Sequence, residues 1–296
     1  WALEHGMAEI VARIVGSLWS FWYRRGYFKE GRRWLEKALA ISDTCRALVR
    51  VKVLAGAGAM AYCQADFTSA TARLTECISL QRVLEDQKGL ANALNIMGAV
   101  AMAQRRNGDA RVFFKESLEL FDAVGDERST IMPLNNLANI EYDDGHYAVA
   151  IGLHEKILAL SRKYGDDDSS ALSLTNLGWA ALLQGDDKSA DGYCREALAL
   201  YNQLGNRGAI TYCLEGLAGV AGAQCQPVRA ARLFGSADAL REAVSFPLTP
   251  DNLAYHQRFV SIAQSQIDGA LFRKSLDEGR AMSFEQAVAY ALSVGH

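Results

Sequence analysis

Five leucines stand forty residues apart, at Leu54, Leu94, Leu134, Leu174 and Leu214, and three further columns keep the same step. One runs through Ile78, Leu118, Leu158 and Leu198. Two are of small residues: Gly58, Gly98, Ala138, Gly178 and Ala218, then Ala70, Ala110, Ala150, Ala190 and Ala230. The segment from Trp34 to Leu39 fits the pattern one residue out of step, as a terminal repeat does. Self-similarity at a period of roughly 20–50 residues marks a stacked-repeat architecture, in which each unit buries its apolar face only against its neighbours.

Within one unit the pattern is helical. Leu172, Leu174, Leu177, Ala180 and Ala181 form an apolar stripe, Gly185-Asp186-Asp187 breaks it, and Ala190, Ala197, Leu198 and Tyr201 begin another. That reads as a helix, a tight turn and an antiparallel helix. Small residues at Gly178 and Ala190 sit where the two helices cross, since Gly or Ala lets backbones approach closely. Composition agrees, because only 4 of 296 residues are proline and half are hydrophobic, with Ala and Leu frequent. The expected fold is all-α: a right-handed superhelical solenoid of about six antiparallel hairpins over residues 1–245, closed by a helical cap over 246–296.

In that cap the prolines of Phe246-Pro247-Leu248-Thr249-Pro250 interrupt the repeat. A helix over 251–268 with Asp251 as its cap follows, then a short one from Ala270 to Asp277. Ser283, with Glu285 and Gln286 behind it, starts a last helix through Leu292 in a capping-box arrangement.

Charge and motif content narrow the function. Lys plus Arg number 31 against 34 Asp plus Glu, a formal charge of -3 with no basic block, which argues against direct nucleic-acid binding. No G-x-x-x-x-G-K-[ST], H-E-x-x-H or G-x-S-x-G occurs, so the chain is read as non-catalytic and without a cofactor. The histidines His5, His146, His154, His256 and His296 are scattered, and the six cysteines show no C-x-x-C pair, so no metal set is assigned. Several cysteines fall on apolar stripes, as small buried hydrophobes do, and fit a reducing cytoplasm. The acidic run Asp166-Asp167-Asp168 precedes a helix, where capping explains it better than a cation does. No apolar run is long enough to cross a membrane and no signal peptide precedes the repeats. Beginning at Trp1, the chain reads as part of something longer.

Leu177-Gly178, with Ala190 twelve residues after the glycine and Ala197 seven further on, resembles the tetratricopeptide signature. The usual repeat of that family has roughly 34 residues. The six extra here are placed mainly between one hairpin and the next, which points to a MalT-like, long-helix subtype. The ends resemble a narrower group, the bacterial LuxR-type and predicted-ATPase regulators in which a signal-transducing NTPase module precedes the repeats. The residues carrying that likeness are Leu18 to Gly26 with Glu30 to Glu36, then Ala230 to Arg241 and Glu278 to Leu292. The resemblance implies a sensor and regulatory domain that takes a protein, peptide or small-molecule effector and restrains upstream NTPase and DNA-binding modules. A constitutive assembly scaffold and an oligopeptide receptor of the quorum-sensing type remain alternatives.

The family register also nominates side chains. The first helix of each hairpin lines an inner groove, with the positions three before, one after and four after the small residue pointing into it. Carried onto this chain, these are Asn95, Ala99 and Met102; Asn135, Asn139 and Tyr142; Thr175, Trp179 and Leu182; and Glu215, with Asn92 alongside. Asn is a poor interior helix residue, so several on one stripe either serve a peptide backbone, donating and accepting, or keep a wet surface soluble. The aromatic group of Trp19, Phe21, Trp22, Tyr23, Tyr27, Phe28 and Trp34 either packs within the first hairpin or docks on an upstream domain.

Overall fold

The computed structural model describes residues 7–244 and 250–293, and every regular element among them is helical. The first seven helices are α1 (Ala8–Arg25), α2 (Phe28–Ser42), α3 (Ala47–Cys63), α4 (Phe67–Val83), α5 (Gln87–Ala103), α6 (Asn107–Ala123) and α7 (Ile131–Asp143), the last entered through a 3-10 turn at Glu127–Thr130. Then come α8 (Tyr147–Tyr164), α9 (Asp167–Gln184), α10 (Asp187–Leu204), α11 (Arg207–Ala223) and α12 (Pro227–Ala243). The series ends with α13 (Pro250–Gln264), α14 (Gly269–Arg280) and α15 (Phe284–Leu292). The expected break at Phe246–Thr249 and the expected cap by the Asp251 side chain lie outside the described residues, as do His5 and His296.

A beat of twenty residues underlies the forty. From α3 onward a helical segment opens at residues 47, 67, 87, 107, 127, 147, 167, 187, 207 and 227. The six extra residues are therefore shared between both helices of each hairpin instead of falling mainly between hairpins. The turns explain the regularity. The first or second residue after each helix from α3 to α11 is left-handed, at Ala65, Glu85, Arg105, Gly125, Gly145, Gly165, Gly185, Gly205 and Cys225, with φ between 54° and 79°. Such a residue stops a helix and turns the chain back. The next residue caps the following helix: Asp66, Asp86, Asp126, Asp166, Asp186 and Asn206 each accept a hydrogen bond from the backbone N–H three residues on. Asp166, in the acidic run, is thus an N-cap.

Contacts divide the chain into two compact units, Trp1–Gly145 and His146–His296. In the first, α1/α2, α3/α4 and α5/α6 pair as hairpins and α7 packs on α6 and α5. Its core centres on Leu35, Leu54, Met60, Leu74 and Leu94, all fully buried. Trp22 is buried while Phe21, Tyr23 and Tyr27 remain exposed, so the aromatic group is only partly absorbed by the first hairpin.

In the second unit α8 packs on α9, α9/α10 and α11/α12 form hairpins, and α13, α14 and α15 close over α11 and α12. The two motifs that carried the regulator resemblance at the C-terminal end are the two sides of one helix crossing. A Cβ on Gly235 of α12 would collide with the Leu276 carbonyl, and one on Gly279 of α14 with the Arg232 carbonyl. Around this close approach Arg232 pairs with Glu278 at 2.6 Å, and the Ser236 hydroxyl donates to the Gly279 carbonyl at 3.0 Å. The capping box expected at Ser283 and Gln286 is present at the start of α15.

Candidate partner-binding site

The nominated residues fall on two faces with different fates. On the first unit, α5 and α7 present Asn92, Asn95, Ala99 and Met102 beside Asn135, Asn139 and Tyr142. Asn92 and Asn139 are exposed; the other five are half-buried. Helix starts one period apart bring the amides into register, and Asn136 of α7 donates to the Asn95 side-chain oxygen of α5 at 3.2 Å. Asn136 was not nominated, although its place beside Asn135 was a visible signal. Asn92 donates back to the Lys88 carbonyl of its own helix at 2.8 Å, and so stays on the helix surface. The result is an accessible strip of amides flanked by a thioether and a phenol. Its Asn side chains offer both donors and acceptors, as an extended backbone requires.

On the second unit the same register is covered. Trp179 packs against Tyr255 and Phe259 of α13, with ring centroids 6.3 and 6.0 Å away. Thr175 is buried and its hydroxyl donates to the Ala171 carbonyl of its own helix; Leu182 is buried as well. Glu215 is 1% exposed and holds the Arg241 guanidinium at 2.7 Å and His256 Nδ1 at 2.6 Å. The expectation of an open groove therefore fails at Trp179, Leu182 and Glu215, because α13 folds back onto their face, and at Thr175, which is buried with its hydroxyl 3.8 Å from the Cys213 sulfur of α11. A Cβ on Gly219 of α11 would meet the Leu182 side chain of α9 at 2.6 Å, while Phe259 and Ala263 of α13 come within ordinary contact of Gly219 and Gly222, at 3.4 and 3.7 Å.

Polar chemistry locks this lid. Glu215, Asp238, Arg241 and His256 converge where α11, α12 and α13 meet, and Arg241 also pairs with Asp238 at 2.9 Å. Burial pushes the Asp238 carboxyl above the usual range, opposed by His256 and Arg241. The ligand atoms of Glu215, Asp238 and His256 lie within 4.8 Å of one another, the donor types of a metal site. Here the Arg241 guanidinium already sits between the two carboxylates and pairs with both, which makes the cluster a helix-to-helix lock. None of its four members is near another in sequence except Asp238 and Arg241. His154, one of the scattered histidines, lies buried in α8, and desolvation lowers its pKa to about 4.

Residues 89–161 and 129–203 each match a family model described as a tetratricopeptide repeat. Residues 89–203 carry tetratricopeptide repeats. A stretch of 112 residues is 29% identical to the regulatory protein AfsR of Streptomyces griseus, taking in 38% of this chain and 11% of that protein. The chain thus spans about a ninth of the regulator's length. Among solved structures, the repeats resemble a Signal Transduction ATPase with Numerous Domains protein with a tetratricopeptide repeat sensor from Pyrococcus horikoshii. That likeness has a TM-score of 0.70 at 14% identity and covers 90% of this chain and 41% of the other. They also resemble the apo form of the quorum sensor NprR from B. thuringiensis, with a TM-score of 0.59 at 15% identity over 91% of this chain and 88% of the sensor. At these identities the likeness is one of fold. The repeats form an interaction scaffold, and no helix among the described residues is long and apolar enough to cross a membrane.

Proposed function

We propose that this chain is the sensor and regulatory region of a multidomain bacterial transcriptional regulator, and that its effector or partner lies on the α5–α7 face. The observation that carries the reading is the contrast between faces. One repeat register is closed by α13 on the second unit, yet stays accessible and amide-lined on the first. The likeness to a regulatory protein and to an ATPase with a tetratricopeptide repeat sensor supports the setting. An effector that binds one arrangement of the repeats better than another shifts the balance between restrained and released upstream modules.

The test is a full-length regulator carrying Asn95→Ala, Asn135→Ala and Asn139→Ala. Its effector response, read as ATPase rate and DNA binding, is expected to fall at least tenfold in sensitivity while the melting temperature holds. An unchanged response would remove the face from the mechanism. A second reading, a peptide receptor, is favoured by the paired amides of Asn95 and Asn136 and by the likeness to a quorum sensor. It predicts peptide copurifying with the wild type and absent from the triple variant by mass spectrometry.

A further inference from the structure

α13 occupies the groove register of α9 and α11 through few groups. Among its described side chains only Phe259 and Ala263 are buried. Phe259 meets the Trp179 ring, and a Cβ on Gly222 would stand 3.7 Å from that of Ala263. Tyr255 and Tyr147 of α8 are hydrogen-bond partners, and just past the helix Gln266 donates to the Gly222 carbonyl at 2.8 Å. To the charge cluster α13 contributes His256, with Nδ1 2.6 Å from Glu215.

The rest of the cluster belongs to α11 and α12. Arg241 pairs with Glu215 across those two helices and with Asp238 on its own. Arg280 of α14, whose charge also reaches Asp238, is paired with Glu242. Withdrawing α13 therefore takes one partner from Glu215 and admits water to it, but orphans no buried ion. α14 has no such freedom, since it carries Glu278 of the Arg232 pair and the Gly279 that interlocks with α12. What withdrawal bares is Trp179 and Leu182 beside Gly219 and Gly222, with two carboxylates and one guanidinium at the edge.

We propose that α13 is a self-supplied ligand of the α9–α11 face, displaced by a helix of a partner protein that carries a cationic side chain with an aromatic one three residues further on. The chain itself shows the occupant: His256 and Phe259 stand at that spacing, which places both on one helix face. The charge follows from the cluster, where Glu215 and Asp238 outnumber Arg241, so a cation is favoured where His256 now sits and an acidic segment is repelled. The inference concerns the second unit alone and stands if the α5–α7 reading fails.

The separation at Gly222 and Ala263 supplies the test, because it suits a disulfide. The whole chain carrying Gly222→Cys with Ala263→Cys is prepared reduced and oxidised, with Cys225→Gly to keep the pairing unique and peptide mapping to verify the cross-link. The probe is a labelled, end-blocked peptide of residues 253–267, followed by fluorescence anisotropy. It should bind the reduced chain saturably and the oxidised chain at least tenfold more weakly. Phe259→Asp in the otherwise wild-type chain, which loosens its own α13, should strengthen capture of the peptide. In the peptide, His256→Glu and Phe259→Ala should each weaken binding at least tenfold, whereas Gln257→Ala, at an exposed position, should leave it unchanged. Hydrogen exchange of the reduced chain should show α13 amides exchanging at least tenfold faster than those of α14, a difference that oxidation erases. Equal binding by the reduced and oxidised chains overturns the proposal, as does a His256→Glu peptide that binds as well as the unaltered one. So does absence of saturable binding to a Phe259→Asp chain that circular dichroism shows to be folded. If that variant does not fold, the exchange comparison decides: α13 amides that exchange no faster than those of α14 in the reduced chain refute displacement.

Discussion

Glycine to alanine, the same chemical change at four helical positions of the second unit, is expected to change stability in opposite directions. At Gly152 of α8 and Gly192 of α10 an added Cβ meets nothing within 4 Å. Alanine there should stabilise by roughly 0.5–1 kcal/mol through helix propensity alone. At Gly235 and Gly279 the new Cβ falls on the backbone carbonyl of the partner helix, which cannot rotate away as a side chain can. The helices must separate, and overpacking of this kind costs about 3 kcal/mol at its upper range. Separation also strips the Ser236 hydrogen bond to the Gly279 carbonyl, worth about 1 kcal/mol, and loosens the half-exposed Arg232–Glu278 pair, worth less. The propensity gain offsets about 1 kcal/mol of this, leaving a net loss of about 3 kcal/mol for each crossing glycine. Urea unfolding followed by far-UV circular dichroism measures all four variants, with wild type and each variant compared at constant slope. A Gly279→Ala variant as stable as wild type would show that α14 does not lie against α12 as described. A destabilised Gly192→Ala would refute the propensity argument itself.

Two further outcomes follow from buried polar groups. His154 has a folded-state pKa of about 4, below the ordinary 6.5, and its buried Nδ1 has no hydrogen-bond partner among the described residues. Its contribution is present above pH 6.5 and lost as pH falls toward 4, roughly 3 kcal/mol in all; the fall in melting temperature between pH 7 and pH 5 should shrink in His154→Leu, and parallel profiles would refute the assignment. Glu215→Gln leaves the Arg241 guanidinium with only Asp238, which should destabilise by about 2–3 kcal/mol, under the full penalty for an orphaned buried charge. Trypsin should then cut faster at the exposed Arg258 of α13, and unchanged cleavage with unchanged stability would remove the lock.

The hairpins were legible from sequence because their signals are local and periodic. Gly165-Asp166 and Gly185-Asp186 encode both the left-handed stop and the next cap, and the Leu54 column encodes which face is buried. Where Ala65, Glu85, Arg105 and Cys225 replace the turn glycine, the period carried the reading across. The division of the repeat face was not legible in this way. The register places Trp179 and Glu215 as it places Asn139 and Asn95, and nothing within one repeat reports that a helix some forty residues beyond Glu215 returns to cover it. The signal lay in pairing distant patterns: small residues at Gly219 and Gly222 of α11 against Phe259 and Ala263 of α13. The metal-like convergence of Glu215, Asp238 and His256 was invisible for the same reason, since it joins three helices.

The equal spacing of turns makes the chain a ruler with two kinds of mark. Inserting or deleting one twenty-residue step would exchange first and second helices in everything downstream, setting groove-facing side chains against the outer surface. A forty-residue step returns every cap and every left-handed residue to its own phase. Recombination between repeats is thereby tolerated only in whole hairpins, so chains that share this ancestry should differ in length by multiples of forty, with the amide-lined repeats free to be copied. The segment after α12 resists duplication, because its glycine crossing and salt-bridged lid fit a single partner surface.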